Sequence, residues 1–301
     1  MLLNEILQYR LTKCNPLELK DYSTFQLIKE EEFYFQTPVT PVLEEVNSKF
    51  FLFSAPGAVG KTAMAKYIAR EYGAFYWNVG LHPVNGTTFA GELAHAVALD
   101  GERQNKFISD LRSGKGLVVL DGFDEASLIS GREGVKAFLV EIGSVILSSA
   151  HIPTVILTAR TEMAAFIRDV CREHGYGVNH YTVEYFEEEK AFLFIEKYLN
   201  FQGKKISLIQ KKEIQRYLDE IKKRINTSKE VRAFMGYAQV LQILSRQIEK
   251  ALDDDITNSL VLDSKKNNLI YDIIQELITR EERKLDEFKN SIRSKYKDIN
   301  K

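Results

Sequence analysis

Cysteine is nearly missing from this chain. Cys14 and Cys171 are the only two in 301 residues, too few and too far apart for the disulfide framework of a small secreted domain or for a cysteine zinc site. They fit a reducing, cytoplasmic compartment. No stretch approaches the length of uncharged apolar sequence that a membrane helix needs, and the opening MLLNEILQYR carries Glu5 where a signal peptide would have its apolar core. The chain therefore reads as neither secreted nor membrane-spanning. Fixed-period repeats and low-complexity tracts are also missing, so nothing points to a solenoid or a disordered tail.

An excess of charge of one sign is lacking too: 41 Lys+Arg against 42 Asp+Glu leave a net charge of −1. The balance is uneven along the chain, with 22 basic and 16 acidic residues from position 201 onward and 19 and 26 before it. An acidic partner or nucleic acid would read such a bias, yet here the basic residues alternate with Glu and Asp at helical spacing, which is the composition of a solvated face. What is present is a hydrophobic fraction of 45%, enough for one large core or two smaller ones.

Residues 1–48 mix short apolar pieces with KEEEF and the proline-spaced TPVTP, and read as an irregular lead-in ending in a short helix before Lys49. Short apolar runs then recur at 50–54, 74–79, 117–120, 154–159 and 180–184, separated by segments of helical periodicity at 61–72, 88–98, 103–112, 133–149 and 161–174. Such alternation predicts an α/β fold in three layers, a parallel sheet with helices on both faces. From about residue 187 the text is amphipathic helix throughout, so the division runs 1–48 lead-in, 49–186 α/β domain, 187–301 helical domain. A last helix over roughly 266–298 would carry Leu269, Ile273, Ile274, Leu277 and Ile278 on its apolar face before turning highly charged.

The stretch Ala55-Pro56-Gly57-Ala58-Val59-Gly60-Lys61-Thr62 fits the spacing [A/G]-x-x-x-x-G-K-[S/T] between an apolar strand and a helix. That chemistry needs backbone N–H groups turned inward around an anion, with Gly57 and Gly60 supplying the dihedral freedom and the helix start adding its positive end. Pro56, Gly57, Ala58, Val59, Gly60, Lys61, Thr62 and Ala63 are the candidate nucleotide-binding residues. Lys61 would reach the β- and γ-phosphates, and the Thr62 hydroxyl would sit on Mg²⁺.

A second element follows in GLVVLDGFDEAS. Four apolar residues lead to Asp121, the candidate metal ligand, with Gly122 turning the backbone and Asp124 and Glu125 close behind. Three carboxylates in five residues repel one another unless their tasks differ. Either Glu125 or Asp124 would polarise the attacking water. In TVILTARTE, Thr158 and Arg160 end another apolar run at the crevice edge of such a sheet, where a guanidinium can contact a γ-phosphate.

Together these residues resemble the NACHT branch of the STAND NTPases, signal-transducing relatives of the AAA+ ATPases. LVVLDGFDE resembles that family's Walker B form, TVILTAR its sensor 1 strand, and YTVEYFEEEKAFLFIEKYL the segment after its sheet. The likeness covers about residues 50–250. It implies a P-loop NTPase with a five-stranded parallel sheet in the order 5-1-4-3-2, an all-helical lid, and ATP/ADP with Mg²⁺ as cofactors. By position it implies Lys61 and Thr62 on phosphate and metal, Asp121 on Mg²⁺, Glu125 in hydrolysis and Arg160 as sensor. The family's lid carries Gly-x-Pro near the adenine, and Gly236-Tyr237-Ala238 here has alanine in the proline's place.

The expected function is a slowly hydrolysing ATP switch whose nucleotide state controls homo-oligomer formation or engagement of a separate effector or sensor protein. In a bacterial host the resemblance implies defence against phage. The alternative is a remodelling or nucleic-acid-handling ATPase using the basic helical region, which would need an arginine supplied to a neighbour's γ-phosphate; Arg168, Arg172 and Arg224 are the candidates. A small-molecule kinase would share the loop but has little use for the DGFDE cluster.

Overall fold

The computed structural model describes residues 1–11, 13–14, 25–45, 48–57, 59–97, 100–146, 155–187, 189–225 and 236–254, with scattered positions between 275 and 289. By contacts the chain forms two units, Met1–Gly57 with Lys61–Glu184, and Ala58–Gly60 with Tyr185–Lys301.

The first unit is built on strands that have no apolar–polar alternation, because they are covered on both faces. Strand β3 (Phe50–Ser54) and strand β6 (Val155–Ala159) are buried at all five positions, and β5 (Val118–Asp121) at all four. With β4 (Phe75–Asn78) and β7 (Val178–Val183) they form the parallel centre of a sheet. Counted in chain order and read from β7 to β4, these five run 5-1-4-3-2. The apolar runs and the observed strands coincide within a few residues.

The sheet has seven strands, however, and is mixed. The lead-in supplies both edges: β1 (Gln26–Leu27) pairs antiparallel with β4, and β2 (Val39–Leu43) pairs antiparallel with β7. Helix α1 (Leu3–Arg10) precedes them, and residues 44–45 and 48–49 are not helical, so the expected irregular segment with a helix before Lys49 is corrected. The physical reason lies in the edge position. An edge strand can expose four of its five side chains, as β2 does, and can hold Pro41 without losing a ladder bond, so neither apolar pattern nor proline marks it.

Helices close both faces. On one side α3 (Thr88–Ala96), α4 (Gly101–Arg112), α5 (Phe123–Ile146) and α6 (Thr161–Glu173) cover Phe50, Leu52, Trp77, Leu120 and Leu157. Phe25, just before β1, joins this core with its ring 5.0 Å from Trp77 and 5.9 Å from Phe89. On the other side α2 (Lys61–Tyr72) buries Met64, Ala65, Ile68 and Ala69. Helix α1 lies against it through a hydrogen bond from Asn4 to the Tyr67 hydroxyl. Helix α5 is longer than the periodicity predicts and is broken at Gly131, where φ is +69°.

The second unit contains α7 (Lys190–Phe201), α8 (Leu208–Ile225) and α9 (Ala238–Asp254). Ile195 and Leu199 of α7 and Leu241, Leu244 and Ile248 of α9 are buried. Ion pairs Lys211–Glu196 and Lys204–Asp253 tie the helices at their surfaces. Most of the last predicted helix lies outside the described residues; Ile278 is described and is exposed. Among the described residues no helix is long and apolar enough to cross a membrane.

Candidate functional site

The carboxyl ends of β3, β5 and β6 carry the residues singled out by their chemistry. At the end of β3 the Ala55 N–H still bonds the sheet, donating to Ala159 O at 3.2 Å, after which the chain leaves the ladder. Helix α2 begins at Lys61, one residue after Gly60, whose φ of +99° lies in the region that L side chains avoid. Gly57 has no positive φ, and a Cβ there would meet nothing within 4 Å, so the backbone freedom expected of both glycines is used at Gly60. No acidic side chain occupies the first turn of α2, so its positive end is left without a carboxylate of its own.

Lys61 donates from Nζ to Ala55 O and Pro56 O, both at 2.9 Å. Burial lowers its pKa from the ordinary lysine value; Asp124, Asp121 and Glu125 oppose that shift, and Arg160 adds to it. One ammonium thus stands within electrostatic reach of three carboxylates and a guanidinium. Pro56 and Thr62 are exposed and Val59 is buried, while Ala58 lies outside the described residues. Ala63 lines a shallow pocket between α2 and the segment holding Ile28, Phe33 and Tyr34.

At the end of β5, Asp121 is buried, and both its oxygens accept hydrogen bonds from hydroxyls. Thr158 donates to Oδ1 from β6, and Tyr76 donates to Oδ2 at 3.1 Å from β4. Burial, then the charge and the hydrogen bond of Asp121, push the Tyr76 phenol far above its ordinary range, so it stays a donor. Past Asp121, Gly122 turns the chain with φ of +90° and α5 begins. The turn is tight. A Cβ on Gly122 would sit 2.8 Å from Asn78 Oδ1, and one on Gly80 would sit 2.7 Å from Glu125 Cβ and 3.0 Å from Gly122 O.

The two remaining carboxylates have different surroundings. Asp124 accepts the Arg160 N–H on both oxygens, at 2.9 and 2.8 Å. Arg160 is the N-cap of α6 and has no side-chain cap from its own segment, so Asp124 reaches across from α5 to satisfy a donor at the positive end of that helix. Burial nevertheless pushes its pKa up to about 6, against the Arg160 N–H and the cations Lys61 and Arg160, with Glu125 adding to the rise. The Glu125 carboxylate makes no hydrogen bond among the described residues. The Arg160 side chain is exposed at the same edge.

Sequence reasoning missed Tyr76, Asn78 and Gly80. Their signal was a tyrosine and a terminal asparagine inside FYWN, the run that pairs with the acidic strand, followed by a glycine. A further polar pair lies at the end of β3: the Ser54 hydroxyl and His180 Nε2 are 2.7 Å apart, and burial, then Arg168, lowers His180 to about 4. Of the arginines considered for a role toward a neighbour, Arg168 has its Nε buried without a hydrogen bond among the described residues, and Arg172 pairs with Asp169. The Arg224 side chain lies outside the described residues.

The donors fit Mg²⁺ delivered with a nucleotide. A carboxylate has about four lone-pair positions, and the two hydroxyls use two of those on Asp121; the Thr62 hydroxyl is a second hard oxygen. Mg²⁺ takes few protein oxygens and completes its shell with phosphate and water.

No family model matches the chain, and no curated protein matches it. Solved structures match it at a distance. The RuvB Holliday junction branch migration motor of Thermotoga maritima is 16% identical with a TM-score of 0.38, the match covering 77% of this chain and 61% of that one. A Walker-type ATPase of Pyrococcus abyssi is 14% identical with a TM-score of 0.36, covering 79% and 73%. The AAA domain of FIGL-1, solved in complex with ADP, is 17% identical with a TM-score of 0.34, covering 69% and 64%. The chain therefore spans about three fifths of the length of the RuvB chain it matches.

Proposed function

We propose that the chain is a P-loop nucleoside triphosphatase acting as a slow, NACHT-type ATP switch. The observation that carries this reading is the electrostatic convergence of Lys61, at the start of the helix after β3, with Asp121 at the end of β5 and with Asp124 and Glu125 in the first turn of α5. The loop amides and Lys61 bind the phosphates, and Thr62 and Asp121 hold Mg²⁺. Held there, Mg²⁺ would supply neutralisation of the charge that develops in phosphoryl transfer. Glu125, free of hydrogen bonds among the described residues, polarises the attacking water. Asp124, occupied by Arg160 N–H, holds α6 and so aims Arg160.

The NACHT refinement rests on the Asp-Gly-Phe-Asp-Glu sequence. It makes the readout of nucleotide state self-association or engagement of an effector, and in a bacterial host it extends to defence against phage. Light scattering of wild type and Glu125→Gln, with no nucleotide, ADP–Mg²⁺ and ATP–Mg²⁺, tests the switch. The expected result is a gain in mass with ATP, largest in the variant that binds without hydrolysing. Lys61→Ala should abolish ATP binding; binding as tight as wild type would overturn the site. Hydrolysis stimulated by DNA and lost with added salt, with no ATP-dependent gain in mass, would favour a nucleic-acid motor instead.

A further inference from the structure

We infer that Tyr76 is a positioning residue for the metal-binding carboxylate: with Thr158 it clamps Asp121 from both sides and fixes the plane in which the carboxylate meets Mg²⁺. This rests on the nucleotide-site reading above. The argument begins with register. Asn78 is paired with Asp121 and Tyr76 with Val119, so Tyr76 and Asp121 lie on the same face of the sheet, one diagonal step apart. A diagonal neighbour is within reach of a long side chain, and the phenol spans that gap to Oδ2 at 3.1 Å.

On the other side Leu120 is paired with Leu157, which brings the next residues, Asp121 and Thr158, alongside each other; the Thr158 hydroxyl takes Oδ1. A carboxylate turns about a broad, two-fold torsion when nothing holds it. Two donors on opposite oxygens remove that freedom. The lone pairs left over are then held in a fixed direction.

A groups-behind-the-ligand arrangement of this kind governs metal affinity more than phosphate binding, because the hydroxyls touch the carboxylate and not the loop. The test is a Mg²⁺ titration of binding of a fluorescent ATP analogue to wild type, Tyr76→Phe and Thr158→Val. Tyr76→Phe keeps the ring and deletes one oxygen, and a thermal melt checks that each variant is folded. With EDTA present all three should bind the analogue equally. With Mg²⁺ added, the half-saturating concentration should rise about tenfold or more in Tyr76→Phe and also rise in Thr158→Val. A Mg²⁺ dependence in Tyr76→Phe equal to that of wild type would overturn the inference, as would an equal weakening with and without Mg²⁺, which marks a general structural defect. Failure of wild type to bind the analogue under either condition would instead overturn the nucleotide-site reading, and the inference with it.

Discussion

Asp124→Asn should change how the protein's stability depends on pH. The ordinary aspartate pKa of 3.8 is raised to about 6 at Asp124, chiefly by burial. A raised pKa means that the folded protein binds this proton more tightly than the unfolded chain does. Between those two values the folded state therefore holds more protons, and stability falls as pH rises through the window, then levels off above it. The shift of about two units corresponds to about 3 kcal/mol at 1.36 kcal/mol per unit. Part of the carboxylate is open to water, which reduces the figure to about 1–2 kcal/mol. Asparagine cannot titrate, yet its amide oxygen still accepts from the Arg160 N–H. The assay is urea unfolding of both proteins in steps from pH about 4 to about 7, reading the difference between them so that all other titrating groups cancel. Wild type should lose about 1–2 kcal/mol relative to the variant over that range. Parallel curves would refute the burial argument. A wild type that gained on the variant as pH rose would mean that the bonds to Arg160 outweigh desolvation.

Two further substitutions test the packing around the site. Gly80→Ala should cost about 1–3 kcal/mol, because its Cβ would approach Glu125 Cβ to 2.7 Å and Gly122 O to 3.0 Å with no flexible group to yield. It should reduce ATP hydrolysis more than ATP binding, and wild-type melting with wild-type turnover would count against the tight corner. Phe25→Ala should destabilise by about 3–5 kcal/mol in urea unfolding, since its ring meets Trp77, Phe75, Phe89 and Phe107. A loss below about 1 kcal/mol would mean that the residues before β2 do not belong to the core.

The parts of this protein legible in its sequence are those written along the chain, and the parts that were hidden depend on what lies beside it. FFLFS and TVILTA announce strands because burial on both faces leaves an unbroken apolar run. The glycine spacing before Lys61 announces a turn into a helix because the dihedrals are local. The edge strand β2 escapes notice because Val39 alone of its five residues is buried. Helix α5 starts ten residues before its predicted start, since the mixed polar and apolar helical stretch Asp124–Ser130 and the break at Gly131 interrupt the period.

The same division runs through the site. That Lys61, Asp121 and Glu125 lie near one another is legible from spacing, whereas the separate hydrogen-bond partners of Asp124 and Tyr76 are not. Asp124 differs from Glu125 because the N-cap residue of a helix, 36 positions later, presents its N–H to it. Tyr76 matters because β4 lies next to β5 with Asn78 opposite Asp121. A slip of one residue would turn the phenol to the other face and bring Trp77 to the side of Asp121, with no change in the apolar pattern of either strand. Register decides which hydroxyl reaches the Asp121 carboxylate, and for strands buried on both faces no alternation in the sequence encodes it.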